Sequence, residues 1–326
     1  MPAGLLALGT YVPEKVLTNE DLASFLDTSD EWITTRTGIK ERRIAEKNEY
    51  AYDLAVKAVE DLLRRHGEEA LAEVDQVVVA TNAPDAYFPN TAALIQHRFG
   101  LKAAAYDLLA GCPGWLYALA QAAGQVEAGI ARRVLVIGAE VLSKITDWRD
   151  RSTAVLFGDG AGAAVVGQVP EGYGFRSFVL GADGSGGSAL HLAALAHSLP
   201  DGTRMGHKIY MNGREVFKFA VRVMDTATLE AIEKAGLEKR DIRLFVPHQA
   251  NLRIIDAARE RLGLDWEQVV VNLHKYGNTS TASIPLALKE ALDRGLVKDG
   301  DHLLFVSFGA GLTWAAAVHT WYGGAA

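Results

Sequence analysis

The feature that most constrains this chain is that it repeats itself. Arg98-Phe99-Gly100-Leu101 returns as Arg261-Leu262-Gly263-Leu264, and Glu127-Ala128-Gly129-Ile130 returns as Asp293-Arg294-Gly295-Leu296. Asp75, which opens one apolar run, is answered by Asp241 before another. These pairs stand 163–166 residues apart, about half of the 326-residue chain. A last pair, Phe157-Gly158-Asp159-Gly160 and Phe308-Gly309-Ala310-Gly311, stands 151 apart, and small apolar strand-type residues follow each. Four matches in one order indicate an internal duplication, with roughly fifteen extra residues in the first half near 139–153. Residues 1–175 and 176–326 are read as the two halves.

Apolar strand-like runs alternate with helical ones, the α/β pattern. The runs predict strands at Gln76–Ala80, Val134–Ile137, Ala161–Val166, Leu244–Val246, Val269–Asn272 and Leu303–Val306. Trp115–Ala128 carries a single charge and Ser280–Ala291 is nearly as apolar. Helices apolar on every side belong inside a domain, so a layered arrangement is expected, with paired sheets around central helices. Residues 181–213 are glycine, serine, histidine and proline without periodicity, and read as a long connection of the kind that often covers a site. Its His191, His197 and His207 have none of the usual zinc spacings and are expected to be solvated.

The net charge of −7 argues against a general nucleic-acid binder, although a local basic patch is compatible with it. One cysteine excludes an internal disulfide and favours a reducing compartment. Residues 1–10 show no basic signal-peptide start, and no apolar run is long enough to cross a bilayer, so a cytoplasmic protein without membrane association is expected.

That one cysteine, Cys112, lies in Ala110-Gly111-Cys112-Pro113-Gly114, where a strand ends, a tight turn follows and the buried helix begins. A cysteine at a helix N-terminus feels the positive end of the dipole, and a depressed pKa with thiolate character is expected. His248, in Val246-Pro247-His248-Gln249-Ala250-Asn251, follows a strand and opens an apparent helix. Asn278, in Tyr276-Gly277-Asn278-Thr279-Ser280, holds nearly the position in the second half that Cys112 holds in the first. Side chains at strand carboxyl ends of paired halves converge on one site in many α/β proteins. Taken singly, Cys112 reads equally as an inert buried thiol, His248 as a core histidine and Asn278 as a turn residue.

Together these residues resemble β-ketoacyl-acyl-carrier-protein synthase III of the thiolase superfamily, along the whole chain. The carrying motifs are Asp27-Thr28-Ser29-Asp30-Glu31-Trp32-Ile33 with Arg36-Thr37-Gly38-Ile39, Val246-Pro247-His248-Gln249-Ala250-Asn251-Leu252-Arg253, and Gly277-Asn278-Thr279-Ser280. The resemblance implies a thiolase-like, internally duplicated five-layer αβαβα fold and a homodimer. It implies a triad of Cys112, His248 and Asn278, an oxyanion hole from the backbone N–H groups of Cys112 and Ala310, and no metal or cofactor beyond the coenzyme A thioester that is the substrate. Coenzyme A contacts map to Thr28, Trp32, Arg36, Arg151, Met211, Gly213, Phe217 and Asn251. Phe88 and Leu190 map to the acyl pocket, Phe88 reaching in from the partner subunit. Arg253 maps to a docking position for an acidic carrier protein, and Lys218 and Arg261, on helices of the same half, are read as extending a basic patch around it. Pro113, Ala310 and Glu260 depart from the family pattern, which usually has alanine or serine, glycine and lysine there. The implied reaction is decarboxylative Claisen condensation of an acyl-coenzyme A, acetyl-coenzyme A or another short acyl-coenzyme A, with malonyl-acyl-carrier protein, initiating fatty acid biosynthesis.

Three other readings compete. The same fold also serves acyltransferases and ketosynthases of secondary metabolism. Cysteine, histidine and asparagine also serve papain-like hydrolases, but that family's cysteine signature is absent and the duplication does not fit it. A non-catalytic module has no reason to place these three residues at equivalent turns. Gly158-Asp159-Gly160-Ala161-Gly162-Ala163, with Asp183 beyond, imitates a dinucleotide fingerprint, but Ala164-Val165-Val166 continues it as a strand where a helix is required.

Overall fold

A computed structural model describes residues 1–325. Helix α1 (Asp30–Thr37) and a small ribbon of Val16–Thr18 against Glu41–Arg43 stand apart from two larger sheets. The first sheet contains β1 (Ala3–Tyr11), β2 (Val74–Ala80), β3 (Ala104–Leu108), β4 (Arg133–Val141) and β5 (Asp159–Gln168), in the order β1-β5-β4-β2-β3. Within it β2 runs parallel to β3 and β4, while β5 is antiparallel to β4 and β1. Helices α2 (Ala51–His66), α3 (Thr91–Arg98) and α4 (Gly114–Glu127) accompany it.

The second sheet holds β6 (Gly174–Ala182), β7 (Ile242–Pro247), β8 (His302–Gly309) and β9 (Thr313–Thr320), in the order β7-β8-β9-β6. Again one parallel pair, β7 with β8, is followed by two antiparallel ones. Its helices are α5 (Gly213–Lys234), α6 (Leu252–Leu262) and α7 (Ser283–Asp293). The two sheets therefore repeat one topology, with β2, β4, β5 and β1 answered by β7, β8, β9 and β6. The division placed between residues 175 and 176 falls just inside β6.

Five layers follow from which helix faces are apolar. α2 buries Leu54, Ala55, Ala58, Val59 and Leu62, one stripe at helical spacing, on the outer face of the first sheet. α5 does the same on the second with Val216, Phe219, Ala220, Val223, Met224 and Ala227. α4 and α7 lie between the sheets, in a shared core with Leu5, Val136, Val166, Leu244 and Phe305. Among the described residues no helix is long and apolar enough to cross a membrane.

The imitation fingerprint is β5, a strand. A Cβ at Gly162 would lie 2.3 Å from the Cβ of Pro285, so this glycine lets α7 rest directly on the strand. The extra first-half residues form the β4–β5 connection, residues 142–158, which includes the short helix Arg151–Ala154; its counterpart between β8 and β9 is only residues 310–312.

Several expected elements differ. Val269–Asn272 forms no strand and makes a single bridge to Phe245. The Gln249 side chain takes over the pairing: its amide donates to the Pro247 and Val270 carbonyls, and its oxygen accepts from the Asn272 and Leu273 N–H groups. The helix expected at Ser280–Ala291 begins as a separate turn, Ser280–Ala282, before α7. The 181–213 connection is partly ordered by a hairpin, Leu190–His191 with Tyr210–Met211. Its His191 is not solvated. The ring stacks on Tyr210 at 4.8 Å, and both nitrogens are buried without a partner, while His197 and His207 are exposed as expected.

Candidate active site

Cys112 stands in the turn between β3 and α4. Gly111 before it has φ +66°, a left-handed conformation that glycine adopts without strain, and Pro113 caps α4. The turn is pressed against the loop that ends β8. A Cβ at Gly309 would lie 2.5 Å from the Cys112 nitrogen, and one at Gly111 would lie 2.6 Å from the Ala310 oxygen. The Thr313 hydroxyl ties the two loops, at 2.8 Å from the carbonyls of both Ala110 and Ala310. Cys112 and Ala310 are thereby neighbours, and among the described residues neither N–H is taken up by a backbone carbonyl.

His248 leaves the end of β7, where its N–H donates to the Val306 carbonyl of β8. It does not open a helix, since α6 begins at Leu252 with Asn251 as its cap. The ring packs edge-on against Phe308 at 5.5 Å, and its Nδ1 lies 2.6 Å from the Ser283 hydroxyl, at the start of α7. With Nδ1 so engaged, Nε2 is the nitrogen left for a ligand. Burial alone pushes its pKa down to about 3, so the imidazole is neutral at physiological pH.

Asn278 is fixed by its backbone between Leu156 and Gly158, and its Oδ1 accepts the Ser280 N–H at 2.9 Å. That bond assigns the amide: the oxygen is occupied, and the NH₂ is the free donor. Ser280 carries φ +50°, the left-handed region, in the segment that presents Asn278.

Burial pushes the Cys112 thiol up to about 12, with the Glu140 carboxylate adding to the rise and the Ser280 side chain opposing it. This reverses the thiolate expected from the helix N-terminus. The residue nevertheless keeps some accessible surface through which a reactant can reach it.

Around Trp32, on α1, the guanidinium carbons of Arg36 and Arg151 lie 4.5 and 4.7 Å from the ring centre. Arg151 also donates to the Asp27 carbonyl at 2.6 Å, and Thr28, nearby, has a buried hydroxyl without a partner. Asn251 donates to the Arg36 carbonyl, so these expected contacts form one cluster. Met211 pairs with Leu190 in the hairpin and sits beside Gly213, where α5 starts. Phe217 lies beneath the Arg253 guanidinium at 5.5 Å. Phe88 is 87% exposed and is not gathered into the site within one chain.

Of the expected docking cations, Arg253 and Lys218 are exposed, and neither forms an ion pair among the described residues. Arg261 is bound to Asp225 at 2.6 Å, which satisfies its charge within the chain. Arg259 is likewise held by Asp256 and Glu260.

Three site residues escaped the sequence reading, Glu140, Asn82 and Ser283, while Ser280 enters it only as the end of the Gly277–Ser280 motif. Glu140 leaves a trace as the one charge in the apolar run after Arg133, and Ser283 as one of a run of hydroxyl residues with Thr279, Ser280 and Thr281 ahead of an apolar helix.

The chain matches two family models, 3-oxoacyl-[acyl-carrier-protein] synthase III over residues 106–184 and the C-terminal part of the same family over 232–321. It is 55% identical to a β-ketoacyl-[acyl-carrier-protein] synthase III of Deinococcus deserti, over 99% of this chain and 92% of that protein. It is 54% identical to the synthase of that name from Caldanaerobacter subterraneus, covering 98% of each. The solved structure of β-ketoacyl-[acyl-carrier-protein] synthase III from Thermus thermophilus superposes with a TM-score of 0.97 at 75% identity, covering 98% of this chain and 99% of that one.

Proposed function

The chain belongs to the β-ketoacyl-acyl-carrier-protein synthase III family, an acyltransferase family of fatty acid biosynthesis, and from its site we propose how the chain performs that reaction. Cys112 sulfur attacks the carbonyl carbon of an acyl-coenzyme A, with acetyl or another short acyl group. The carbon–sulfur bond to coenzyme A breaks, and the thiol proton ends on the departing coenzyme A sulfur. The Cys112 and Ala310 N–H groups stabilise the tetrahedral oxyanion. Malonyl-carrier protein then loses carbon dioxide, leaving an enolate whose oxygen accepts from His248 Nε2 and the Asn278 NH₂. The enolate carbon attacks the acyl-cysteine carbonyl, the carbon–sulfur bond to Cys112 breaks, and the departing sulfur takes a proton from solvent to restore the thiol as the β-ketoacyl product leaves.

The observation that carries this reading is the pair of oriented donors. Ser280 occupies the Asn278 oxygen, and the Ser283 hydroxyl, donating to His248 Nδ1, leaves the neutral ring's one N–H on Nε2, so an amide and an imidazole are both left to donate where negative charge develops. Protonated histidine is not required, which suits a group whose pKa is pushed down to about 3.

Trp32, Arg36 and Arg151 supply a flat face and cations for the adenine and phosphates of coenzyme A, with Thr28 and Asn251 beside them. Met211, Gly213 and Phe217 line the pantetheine path, and Leu190 with the partner's acyl-pocket side chain Phe88 bounds the acyl group. The subunits pair as a homodimer through β3, an edge strand of the first sheet, which also leaves Phe88 free to cross. Arg253 and Lys218 meet the acidic carrier protein; Arg261, already paired with Asp225, contributes less. The chemistry needs no metal or further cofactor, and a lone cysteine with a coenzyme A substrate supports a cytoplasmic location.

Intact-mass measurement after incubation with acetyl-coenzyme A tests the central claim. One acetyl adduct is expected, lost in Cys112→Ala and discharged by malonyl-carrier protein. An adduct that persists in Cys112→Ala overturns the proposed nucleophile.

A further inference from the structure

Glu140 is the last but one residue of β4, fully buried, and it forms no ion pair among the described residues. Its carboxylate accepts from the Asn82 N–H at 3.1 Å, the Asn82 side-chain amide at 2.6 Å and the Thr281 hydroxyl at 3.0 Å. The Asn82 amide also reaches the Ser280 hydroxyl at 3.1 Å, and the Thr281 hydroxyl the Ala80 carbonyl. A first-half carboxylate is thus tied to the second-half turn that orients Asn278. That turn includes Ser280, whose left-handed backbone is held from outside. The groups that face Glu140 are Asn82 beyond β2, Gly160 across β5, and Ser280 and Thr281 from the turn, all uncharged; the titratable group near it is Cys112.

We propose that Glu140 is a positioning residue: it holds the Asn278–Thr281 turn against Cys112, and its charge governs how readily Cys112 gives up its proton. The inference rests on Cys112 as the acyl-carrying thiol. An unpaired buried carboxylate is worth retaining only if its charge or its hydrogen bonds serve something, because burial alone disfavours it. Here burial has pushed its pKa up to about 7, so the carboxyl passes between neutral and charged forms near physiological pH. While it is neutral, the neighbouring thiol ionises more easily; once it is charged, thiolate formation is opposed. Binding an acyl thioester at Cys112 removes that opposition, since an acyl-cysteine carries no charge to repel.

Cys112 is the sole cysteine, so its alkylation by iodoacetamide reads its ionisation without interference. In the unaltered enzyme the logarithm of the alkylation rate should climb between about pH 5 and about pH 9 with a slope below one, because two coupled groups titrate. Glu140→Gln should restore unit slope and speed alkylation by up to about twofold at about pH 7, where half the carboxyl is charged, rising toward about tenfold per unit of coupling above about pH 8, where Glu140 is fully charged. Glu140→Asp, which keeps the charge on a shorter arm, should keep the shallow profile while losing condensation activity. Unit slope in the unaltered enzyme overturns the proposal, and this arm stands even if the glutamine variant does not fold. A folded Glu140→Gln with the unaltered profile also overturns it and leaves Glu140 a structural residue. Alkylation needs only the thiol, so failure here is distinct from failure of acetyl transfer to Cys112.

Discussion

Gly309→Ala isolates the contact that places the proposed oxyanion donors, the N–H groups of Cys112 and Ala310. Gly309 has no left-handed φ, so alanine meets no backbone strain there, and any effect comes from the added methyl group. That carbon would lie 2.5 Å from the Cys112 nitrogen, 2.9 Å from its Cβ and 3.0 Å from Pro113 Cδ, where ordinary contact begins near 3.4 Å. Two of the three neighbours belong to Cys112 itself and the third to the cap of α4, so no flexible side-chain end can yield. The Cys112 turn and the Gly309–Ala310 loop must separate by roughly 1 Å, and a displacement of that size in a reacting group costs on the order of 10²-fold in rate. Overpacking also costs about 1–3 kcal/mol of stability, which a thermal melt reads separately. The acetylation rate of Cys112, followed by rapid quench and intact mass, should fall by about 10² or more in folded Gly309→Ala. Gly184→Ala is the control, because nothing lies within 4 Å of its added carbon. A folded Gly309→Ala that acetylates within a few-fold of the unaltered enzyme would refute the contact as the determinant of donor placement.

The remaining predictions separate the half-reactions and the charges. His248→Ala and Asn278→Ala should leave acetylation of Cys112 largely intact while malonyl decarboxylation falls by about 10²–10³, the effect of one lost oxyanion donor; equal loss in both assays would assign them to Cys112 instead. Trp32→Ala and Arg151→Ala should raise KM for acetyl-coenzyme A and spare the malonyl step, and an unchanged KM in both would contradict the adenine site. Arg253→Glu should cripple condensation with malonyl-carrier protein but not acetylation, and the unaltered second step should weaken as salt rises; a salt-independent second step refutes docking by exposed charge. His319 is buried, with its pKa pushed down from 6.5 to about 3, so the unfolded chain binds the extra proton and stability is lost as pH falls through that window. His319→Gln should therefore lose about 2 kcal/mol less than the unaltered protein between about pH 7 and about pH 5, and identical losses in denaturant titrations would exclude His319 as the source.

What the sequence made legible is local. Cys112 and His248 each follow a strand end and Asn278 leads into a buried helix, each in a short, distinctive string, and the repeat indicates that such turns face one another across paired sheets. The buried helices α4 and α7 were legible for the same reason, because a helix apolar on every side has only one place to go. Contacts made by side chains across long separations were not. Nothing in Val269–Asn272 shows that Gln249, some twenty residues earlier, supplies the bonds a neighbouring strand would have made. Nor does Arg261 disclose that Asp225 on α5 has already taken its charge.

The protonation of Cys112 shows how strong such a nonlocal influence becomes. A helix N-terminus is visible in the sequence and favours thiolate by about 0.3–1 kcal/mol. Enclosure by the Gly309–Ala310 loop and the Asn278–Thr281 turn is not visible there, and it moves the thiol from an ordinary 9.0 to about 12, on the order of 4 kcal/mol the other way. Enclosure outweighs the dipole, so Cys112 rests as a neutral thiol and His248 as a neutral imidazole. In the proposed acylation the proton therefore leaves as the new carbon–sulfur bond forms, when negative charge passes from sulfur to an oxygen beside the Cys112 and Ala310 N–H groups. The same enclosure that suppresses the free thiolate strengthens those donors, since a hydrogen bond to developing charge is worth more where water is excluded. A site built this way reacts with thioesters that fit it and resists the adventitious oxidants and electrophiles that attack an exposed thiolate.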